Sequence, residues 1–186
     1  MSVTAVPGFV AAGISAGIKP SGAPDMAVVA TADAAPVAAA GVFTSNKMTA
    51  APVLVTRGNL GRSGGRAAAV ICNSGNANAA TGAQGLADAE RMCDLTAAAL
   101  GCSSDHVLVC STGLIGFELP MDAVAAGIPR AVAARHSAGG GEAAKAMMTT
   151  DTVPKQVTVD GGGFTVGGIA KGAAMLEPNM ATMLAV

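Results

Sequence analysis

The sequence predicts a mixed α/β fold of the α+β kind, in which short buried strands and helices form layers. Residues 67–72 and 106–110 are short, continuous apolar segments, as is typical of buried strands. Residues 86–100 place their apolar side chains near one helical face, and Gly101 is a suitable end for that helix. A second helix is predicted at residues 120–134, because proline is tolerated in the first helical turn.

The remaining segments predict further strands, turns and one short helix. Strands are predicted at residues 26–31, 36–44, 51–56, 156–159 and 164–169. We expect the first two of these strands, and likewise the last two, to form hairpins, because only four residues separate each pair. Residues 142–148 predict the short helix. A loop with a short extended piece is predicted at residues 7–25, and turns, loops or flexible joints are predicted at residues 58–66, 73–78, 111–113 and 139–141.

Composition and charge exclude several classes of protein. The chain has 186 residues, enough for one or at most two domains, and its 11 basic and 12 acidic residues are spread thinly. The sequence has no cluster of basic residues that could bind along a phosphate backbone, so we expect no nucleic-acid partner. No apolar run reaches membrane-spanning length, and the N-terminus lacks the pattern of a secretory signal. We therefore expect no membrane partner and a cytoplasmic location.

The cysteines and histidines do not predict a metal site. The four cysteines form no short-spaced pair, and the two histidines lie far apart. A zinc site needs convergent ligands, which usually come in such pairs. Buried free thiols in a reducing compartment are the expected state of the cysteines.

Residues 110–116 (CSTGLIG) are a first candidate for catalysis. They follow directly on a predicted buried strand, where backbone N–H groups and a hydroxyl could converge on an anion. Such a group of donors would form an oxyanion hole. The alternative is an ordinary tight turn, in which glycine supplies dihedral angles that other residues avoid.

Three other polar features have both a functional and a structural interpretation. The amides of residues 73–78 could recognise a polar ligand, or they could stabilise turns by bonding the local backbone. Thr149, followed by Thr150 and Asp151, could bind a substrate carboxylate or amine, or it could cap the preceding helix. Lys171 could pair with a carboxylate in a dry cleft, or it could be solvated, as most lysines are.

Thr182 is the strongest candidate for a nucleophile. A threonine hydroxyl is a poor nucleophile without a base beside it, but its own α-amine can be that base once the preceding peptide bond is cut. The pKa of an α-amine is about 8, so a useful fraction is unprotonated at neutral pH. The alternative is an ordinary strand threonine, since Thr182 lies among methionine, leucine and valine.

Six sequence blocks together resemble the ornithine acetyltransferase family, the bifunctional glutamate N-acetyltransferases of arginine biosynthesis. The blocks are GFVAAGISAGIKPSGAPDMAVV, AAGVFTSNKMTAAPV, NSGNANAATGAQG, CSTGLIG followed by LPMD, MTTDTVPKQ, and GGIAKGAAMLEPNMATML. They occur in family order and cover residues 6–186. CSTGLIG and the last block are the most specific of the six.

The resemblance implies a fold and a processing event. The family fold is a layered αββα sandwich, of which this chain would be the N-terminal, α-chain half. The precursor would cleave itself between Ala181 and Thr182, so that residues 1–181 form the α-chain domain and residues 182–186 begin the β chain. The α and β chains would then associate as an α2β2 heterotetramer.

The resemblance also implies an activity and the residues that perform it. Thr182 would take acetyl from N-acetylornithine and pass it to glutamate, without a cofactor, and some members also accept acetyl-CoA as the donor. Thr112 and Gly113 match the oxyanion-hole pair. Thr149, Lys171 and Thr182 match substrate-binding positions.

Departures from the family pattern leave alternatives open. Ala174 stands where many relatives have glycine and Ala80 where many have cysteine, and both are exchanges between small residues. The family's β half is absent after Val186, so we expect this fragment alone to be inactive. The alternatives are an amidase or aminopeptidase with the same N-terminal-nucleophile chemistry, or a non-catalytic α subunit or truncated product.

Overall fold

The computed structural model describes residues 2–172 and 183–186, which form nine strands and four α-helices. The strands are β1 (Phe9–Ile14), β2 (Met26–Thr31), β3 (Val37–Ala38), β4 (Arg66–Ala67), β5 (Ala69–Asn76), β6 (Val107–Leu114), β7 (Lys155–Asp160), β8 (Thr165–Lys171) and β9 (Leu184–Ala185). The helices are α1 (Ala51–Arg62), α2 (Gly82–Leu100), α3 (Met121–Ala133) and α4 (Gly140–Met147). Two short 3₁₀ helices lie at Val3–Ala5 and Ser104–His106.

The central sheet has the strand order β1-β2-β5-β6. Strand β2 is antiparallel to both of its neighbours, whereas β5 and β6 are parallel and are connected through α2. All six residues of β2 are buried, which agrees with its continuous apolar sequence in the middle of the sheet. A second sheet has the order β7-β8-β9, and β3 pairs with β4 alone.

The central sheet separates two hydrophobic cores. Helices α1, α2 and α3 cover one face, where buried side chains such as Met92 and Ile128 pack against Val28 and Ile71. Helix α4 and strand β8 cover the other face. Helix α4 crosses β1 at Gly13, where a Cβ atom would lie only 2.0 Å from the Glu142 carbonyl oxygen. The layered α+β architecture predicted from the sequence is therefore confirmed.

Helix α1 replaces a predicted strand and part of a predicted turn. The strand prediction for residues 51–56 and the turn prediction for residues 58–62 are wrong, because one helix runs from Ala51 to Arg62. The predicted turn is confirmed only at residues 63–65. Its buried residues are Ala51, Pro52, Val55, Thr56 and Asn59, which share one helical face. Thr56 Oγ1 donates to the Val109 carbonyl (2.8 Å) and accepts from the Val109 amide (2.9 Å). The helix thus satisfies backbone groups on the outer edge of β6.

The predicted hairpin of residues 26–31 and 36–44 is also wrong. Only Val37–Ala38 is a strand in the second segment, and it pairs with β4 and not with β2. The sides of β2 are already occupied by β1 and β5. Residues 39–50 form no helix or strand, and Val42 and Met48 are largely exposed.

The other predicted strands and helices are confirmed, with changes at their ends, and the short extended piece predicted within the loop of residues 7–25 is the six-residue strand β1. The strands at residues 26–31, 67–72 and 106–110, the hairpin β7–β8 and the three helices α2, α3 and α4 lie where the sequence predicts them. Gly101 ends α2 in the left-handed conformation. Strands β5 and β6 extend through residues 73–76 and 111–114, although the sequence predicts loops at residues 73–78 and 111–113. The predicted joint at residues 139–141 is wrong, because α4 begins at Gly140.

Candidate active site

The candidate site lies where the parallel strands β5 and β6 end. Ser74 and Thr112 are partners in register, and both side chains are buried. The Ser74 hydroxyl donates to the Ala146 carbonyl in α4 at 2.6 Å, so this pair faces the α4 side of the sheet. The strands bring small polar side chains to the same end because parallel strands end at the same edge of a sheet. Thr112 is therefore fixed in a buried position.

Gly113, the residue after Thr112, has a backbone that other residues avoid. Its φ is +137°, and a Cβ atom there would lie 2.3 Å from the Gly75 carbonyl carbon. The β5–β6 register shifts at this point, between Gly75 and Asn76. The alternative of an ordinary tight turn at residues 110–116 is wrong for residues 110–114, which belong to β6, whereas residues 115–117 form a bend. Glycine is required here both for its conformation and for close strand contact.

Lys171 brings a buried cation to the same place. It is the last residue of β8, it is only 3% exposed, and its Nζ donates to Thr112 Oγ1 at 3.1 Å. Burial lowers the pKa of the Lys171 ammonium, and the carboxylate of Asp151 acts in the opposite direction. Lys171 is therefore buried and not solvated, while its pairing with a substrate carboxylate stays a prediction.

Asp151 connects Thr149 to this lysine. Its carboxylate accepts hydrogen bonds from the Gly172 amide (2.8 Å) and the Thr149 amide (3.4 Å), and from the Lys155 ammonium. Burial alone would raise the pKa of this carboxyl, but the hydrogen bonds from Lys155, Gly172 and Thr149 hold it below its ordinary value. The segment that carries Thr149 is thereby joined to the end of β8.

The arrangement of donors fits the stabilisation of an anion. Because Lys171 donates to the Thr112 oxygen, the hydroxyl hydrogen of Thr112 points away from the lysine and can be donated to another acceptor. The site thus combines a hydroxyl donor, a glycine backbone and a desolvated cation. Such preorganised groups stabilise negative charge better than water does.

The cysteines near the site are unsuited to be nucleophiles. Cys110 precedes Thr112 by two residues, and burial raises the pKa of its thiol to about 11. Burial, followed by the neighbouring Cys110, raises the pKa of Cys72 as well. At neutral pH both remain thiols, whereas the thiolate is the reactive form. Among residues 2–172 and 183–186, no group of three or more histidine, cysteine, aspartate or glutamate side chains could hold a metal ion.

The structure brings together Thr112, Gly113 and Lys171, with Thr149 attached through Asp151. Ala181 and Thr182 lie outside the described residues, so the predicted cleavage site and nucleophile stay predictions. Strand β9 follows them, and Leu184 is the strand partner of Lys171.

Sequence reasoning missed Lys19, Asp25 and the role of Asp151. Asp25 is fully buried and accepts the amides of Ala16 and Ile18, both at 2.6 Å. The available signal was a carboxylate placed immediately before the wholly apolar strand β2, where an acidic residue needs buried partners.

Comparison with known proteins gives the family. The model of the ArgJ family matches residues 10–186, and the chain belongs to this family. It is 52% identical, over 186 residues, to the arginine biosynthesis bifunctional protein ArgJ of Symbiobacterium thermophilum, covering 98% of this chain and 46% of that protein. It is 53% identical to ArgJ of Mycobacterium tuberculosis over 192 residues, covering 99% of this chain and 47% of that protein.

A solved structure shows the same fold. The ornithine acetyltransferase of Mycobacterium tuberculosis, solved in complex with ornithine, has a TM-score of 0.90 and is 50% identical to this chain. The match covers 98% of this chain and 96% of the solved chain. The chain spans about half the length of the curated relatives it matches. The expectation of an ornithine acetyltransferase fold is confirmed.

Proposed function

We propose that this chain is the α-chain part of an enzyme that transfers acetyl from N-acetylornithine to glutamate. The observation that carries the proposal is the buried contact between Lys171 and Thr112, beside Gly113, in a chain of the ArgJ family. The reaction needs no cofactor, although acetyl-CoA could serve as a second acetyl donor. The protein would act in the cytoplasm. In the part of the chain that the structure describes, no helix is long and apolar enough to cross a membrane.

The proposed nucleophile is Thr182, freed as an N-terminal residue. Its Oγ attacks the acetyl carbonyl, and its α-amine accepts the hydroxyl proton and passes it to the departing ornithine amine. The product is an acetyl-threonine ester. The amine of glutamate then attacks this ester, which releases N-acetylglutamate and restores the hydroxyl. The pairing of Leu184 with Lys171 supports this assignment, because Leu184 follows Thr182 by two residues.

Thr112 and Gly113 would form the oxyanion hole for both steps. Each step passes through a tetrahedral intermediate with a negative oxygen, and the hydroxyl of Thr112 with the amide of Gly113 would donate to it. Lys171 would orient that hydroxyl by donating to its oxygen.

Lys171 and Thr149 would bind the substrates. N-acetylornithine and glutamate both carry a carboxylate, which a desolvated ammonium attracts strongly. Thr149 is held near the end of β8 through Asp151. The solved Mycobacterium tuberculosis relative is described as a complex with ornithine, which supports this class of substrate.

We also propose self-cleavage between Ala181 and Thr182. The hydroxyl of Thr182 would attack the Ala181 carbonyl in an N-to-O acyl shift, and water would then hydrolyse the ester. The two Mycobacterium tuberculosis matches support a division of the polypeptide. This chain covers 47% of the curated ArgJ protein but 96% of the solved chain. The solved chain is therefore about half as long as the curated protein.

The proposed partners follow from this division. The β chain of the same precursor would complete the site, and two α and two β chains would form the α2β2 assembly. The 186-residue chain alone would be inactive, because the α-amine of Thr182 is not free while its peptide bond is uncut. All activity experiments below therefore use the complete gene product, with any residues encoded after Val186.

The activity test measures acetyl transfer from N-acetylornithine to glutamate. We expect Thr112→Val to lower kcat by about 10²–10³-fold, as the loss of an oxyanion-hole donor does. Lys171→Met should raise KM for both substrates and lower kcat. The exposed Lys47 gives the control variant Lys47→Met, which should match the wild type.

The same assay separates the alternatives. If ornithine and acetate are released at the same rate without glutamate as with it, the enzyme is a hydrolase, that is, an amidase or aminopeptidase. Wild-type rates in both Thr112→Val and Lys171→Met would contradict the proposed site. No turnover by the complete, correctly processed product would favour a non-catalytic subunit.

A further inference from the structure

Lys19 lies in the loop between β1 and β2 and connects it to the end of α4. Its Nζ donates to the carbonyl of Pro24 within the loop and to the carbonyl of Met148, both at 2.8 Å. Met148 is the residue immediately before Thr149. One half-buried ammonium therefore joins two segments that are 129 residues apart in sequence.

Hydrogen bonds within this loop fix the backbone of Lys19. The Lys19 amide donates to Asp25 Oδ2 at 2.9 Å, alongside the amides of Ala16 and Ile18. Three amide donors fix the fully buried carboxylate of Asp25, and the carboxylate in turn fixes the backbone from which the Lys19 side chain projects. Asp25 is attached to the sheet through its carbonyl, which accepts the Ser74 amide at 2.8 Å.

The stem of Lys19 lies against the strand end that carries the candidate site. A Cβ atom on Gly75 would lie 3.1 Å from Lys19 Cγ, and Gly75 is the register partner of Gly113. Lys171 donates to Thr112, the residue before Gly113, so both lysines lie at the same end of the β5–β6 pair.

We propose that Lys19 is a positioning residue for the acetyl-donor site, which acts by holding the Met148 carbonyl and so placing Thr149 beside Lys171. This inference rests on the proposed function. A charged donor that satisfies two carbonyls fixes both segments at once, and a neutral apolar side chain of the same length has no N–H group for either. Lys19 itself need not contact the substrate, since Thr149 is the group that it positions.

The test compares Lys19→Met and Lys19→Arg with the wild type in the complete gene product. We expect Lys19→Met to raise KM for N-acetylornithine about tenfold, in the range for loss of a charge-assisted hydrogen bond, with a smaller change in kcat. Lys19→Arg keeps the charge and the donors, so it should recover most of the affinity. The control is Lys145→Met, because Lys145 is exposed on α4 and should leave KM unchanged.

A second readout does not depend on the reaction. Hydrogen–deuterium exchange of residues 148–151 should become faster in Lys19→Met but not in Lys145→Met. If Lys19→Met does not fold, Lys19→Gln, which keeps one amide donor without the charge, becomes the deciding variant. Unchanged KM, or unchanged exchange at residues 148–151, in a folded variant would overturn the proposal. A fall in kcat at constant KM, with a lower Tm, would indicate a merely structural role and would also overturn it.

The two readouts separate this proposal from the proposed function. Wild-type protein that does not use N-acetylornithine would contradict the proposed function, while the exchange data would still decide whether Lys19 holds residues 148–151.

Discussion

Single residues at the end of β6 are constrained by both conformation and space. Gly113 has a positive φ and lies against the Gly75 backbone, whereas Gly61 in α1 is exposed and has open space where a Cβ atom would project. Substitution by alanine should therefore change the free energy of unfolding in opposite directions at these two glycines.

Gly113→Ala should lower the free energy of unfolding by about 3 kcal/mol or more, because it adds both backbone strain and a steric clash. Gly61→Ala should raise it by about 0.5–1 kcal/mol, because alanine is the better helix former. Urea denaturation of both variants checks the pair. Equal stability of the two variants would contradict the described geometry of Gly113.

Asp151 gives a prediction of pH dependence. Hydrogen bonds hold its pKa in the folded state below the ordinary value of 3.8. Its contribution to stability is therefore fully present above that ordinary value and is lost as the pH falls through the lower folded pKa. We expect Asp151→Asn to lower the Tm at neutral pH, and the difference from the wild type to shrink as the pH falls below 3.8 and through the lower folded pKa of Asp151. A difference that is constant over this range would show that the carboxylate charge does not contribute.

At the scale of elements, α1 protects the edge of the central sheet. Among the described residues, β6 pairs only with β5, and α1 contributes side chains to the free edge. Asn59 Nδ2 donates to the Val107 carbonyl at 2.7 Å, and Thr56 bonds both backbone groups of Val109. An exposed strand edge is a site of unwanted pairing, so this cover also limits association.

Thr56→Val should destabilise the protein by about 1–3 kcal/mol, since two buried backbone groups lose their partner while side-chain volume is kept. The control is Thr49→Val, because the Thr49 hydroxyl bonds the Asn46 carbonyl in an exposed segment. That change should stay within about 0.5 kcal/mol. Both values can be measured by denaturant unfolding, and similar values for the two variants would contradict the role of α1.

The fold was predictable from sequence where one element's own pattern determines its structure. Strand β2 has a continuous apolar run, and helix α2 has apolar residues along one face. Helix α1 was missed because the buried face includes Thr56 and Asn59, whose burial depends on the edge of β6. Polar residues at buried positions are understood only once their distant partners are known.

The candidate site was predictable only in part for the same reason. Motif resemblance assigned Thr112, Gly113 and Lys171, and the structure brings these three together. Asp151 and Lys19 act through contacts with Gly172 and Met148, and neither contact leaves a local sequence pattern.

At the scale of the whole molecule, an apolar cavity of about 770 Å³ lies beside the central sheet. Its lining includes Val42, Met48, Leu108 and Ile115, together with the last four residues of the chain. Several of these side chains are more than half exposed. Such a large apolar surface is typical of a place where another polypeptide segment packs.

We expect the isolated 186-residue chain to bind the dye ANS or to aggregate, and the complete gene product to do neither. The measurement is ANS fluorescence with light scattering at matched concentrations. Equal ANS binding by the two forms would contradict the proposal that a β chain packs on this chain.

The proposed function depends on Thr182 becoming an N-terminal nucleophile that carries the acetyl group. The most direct test incubates the complete gene product with N-acetylornithine in the absence of glutamate and measures intact masses. We expect two polypeptides, of which the second begins at Thr182 and carries one acetyl group that glutamate removes as N-acetylglutamate. Thr182→Ala should remain uncut and unacetylated. An uncut but active wild-type protein, or an acetyl group on another residue, would contradict the proposed role of Thr182.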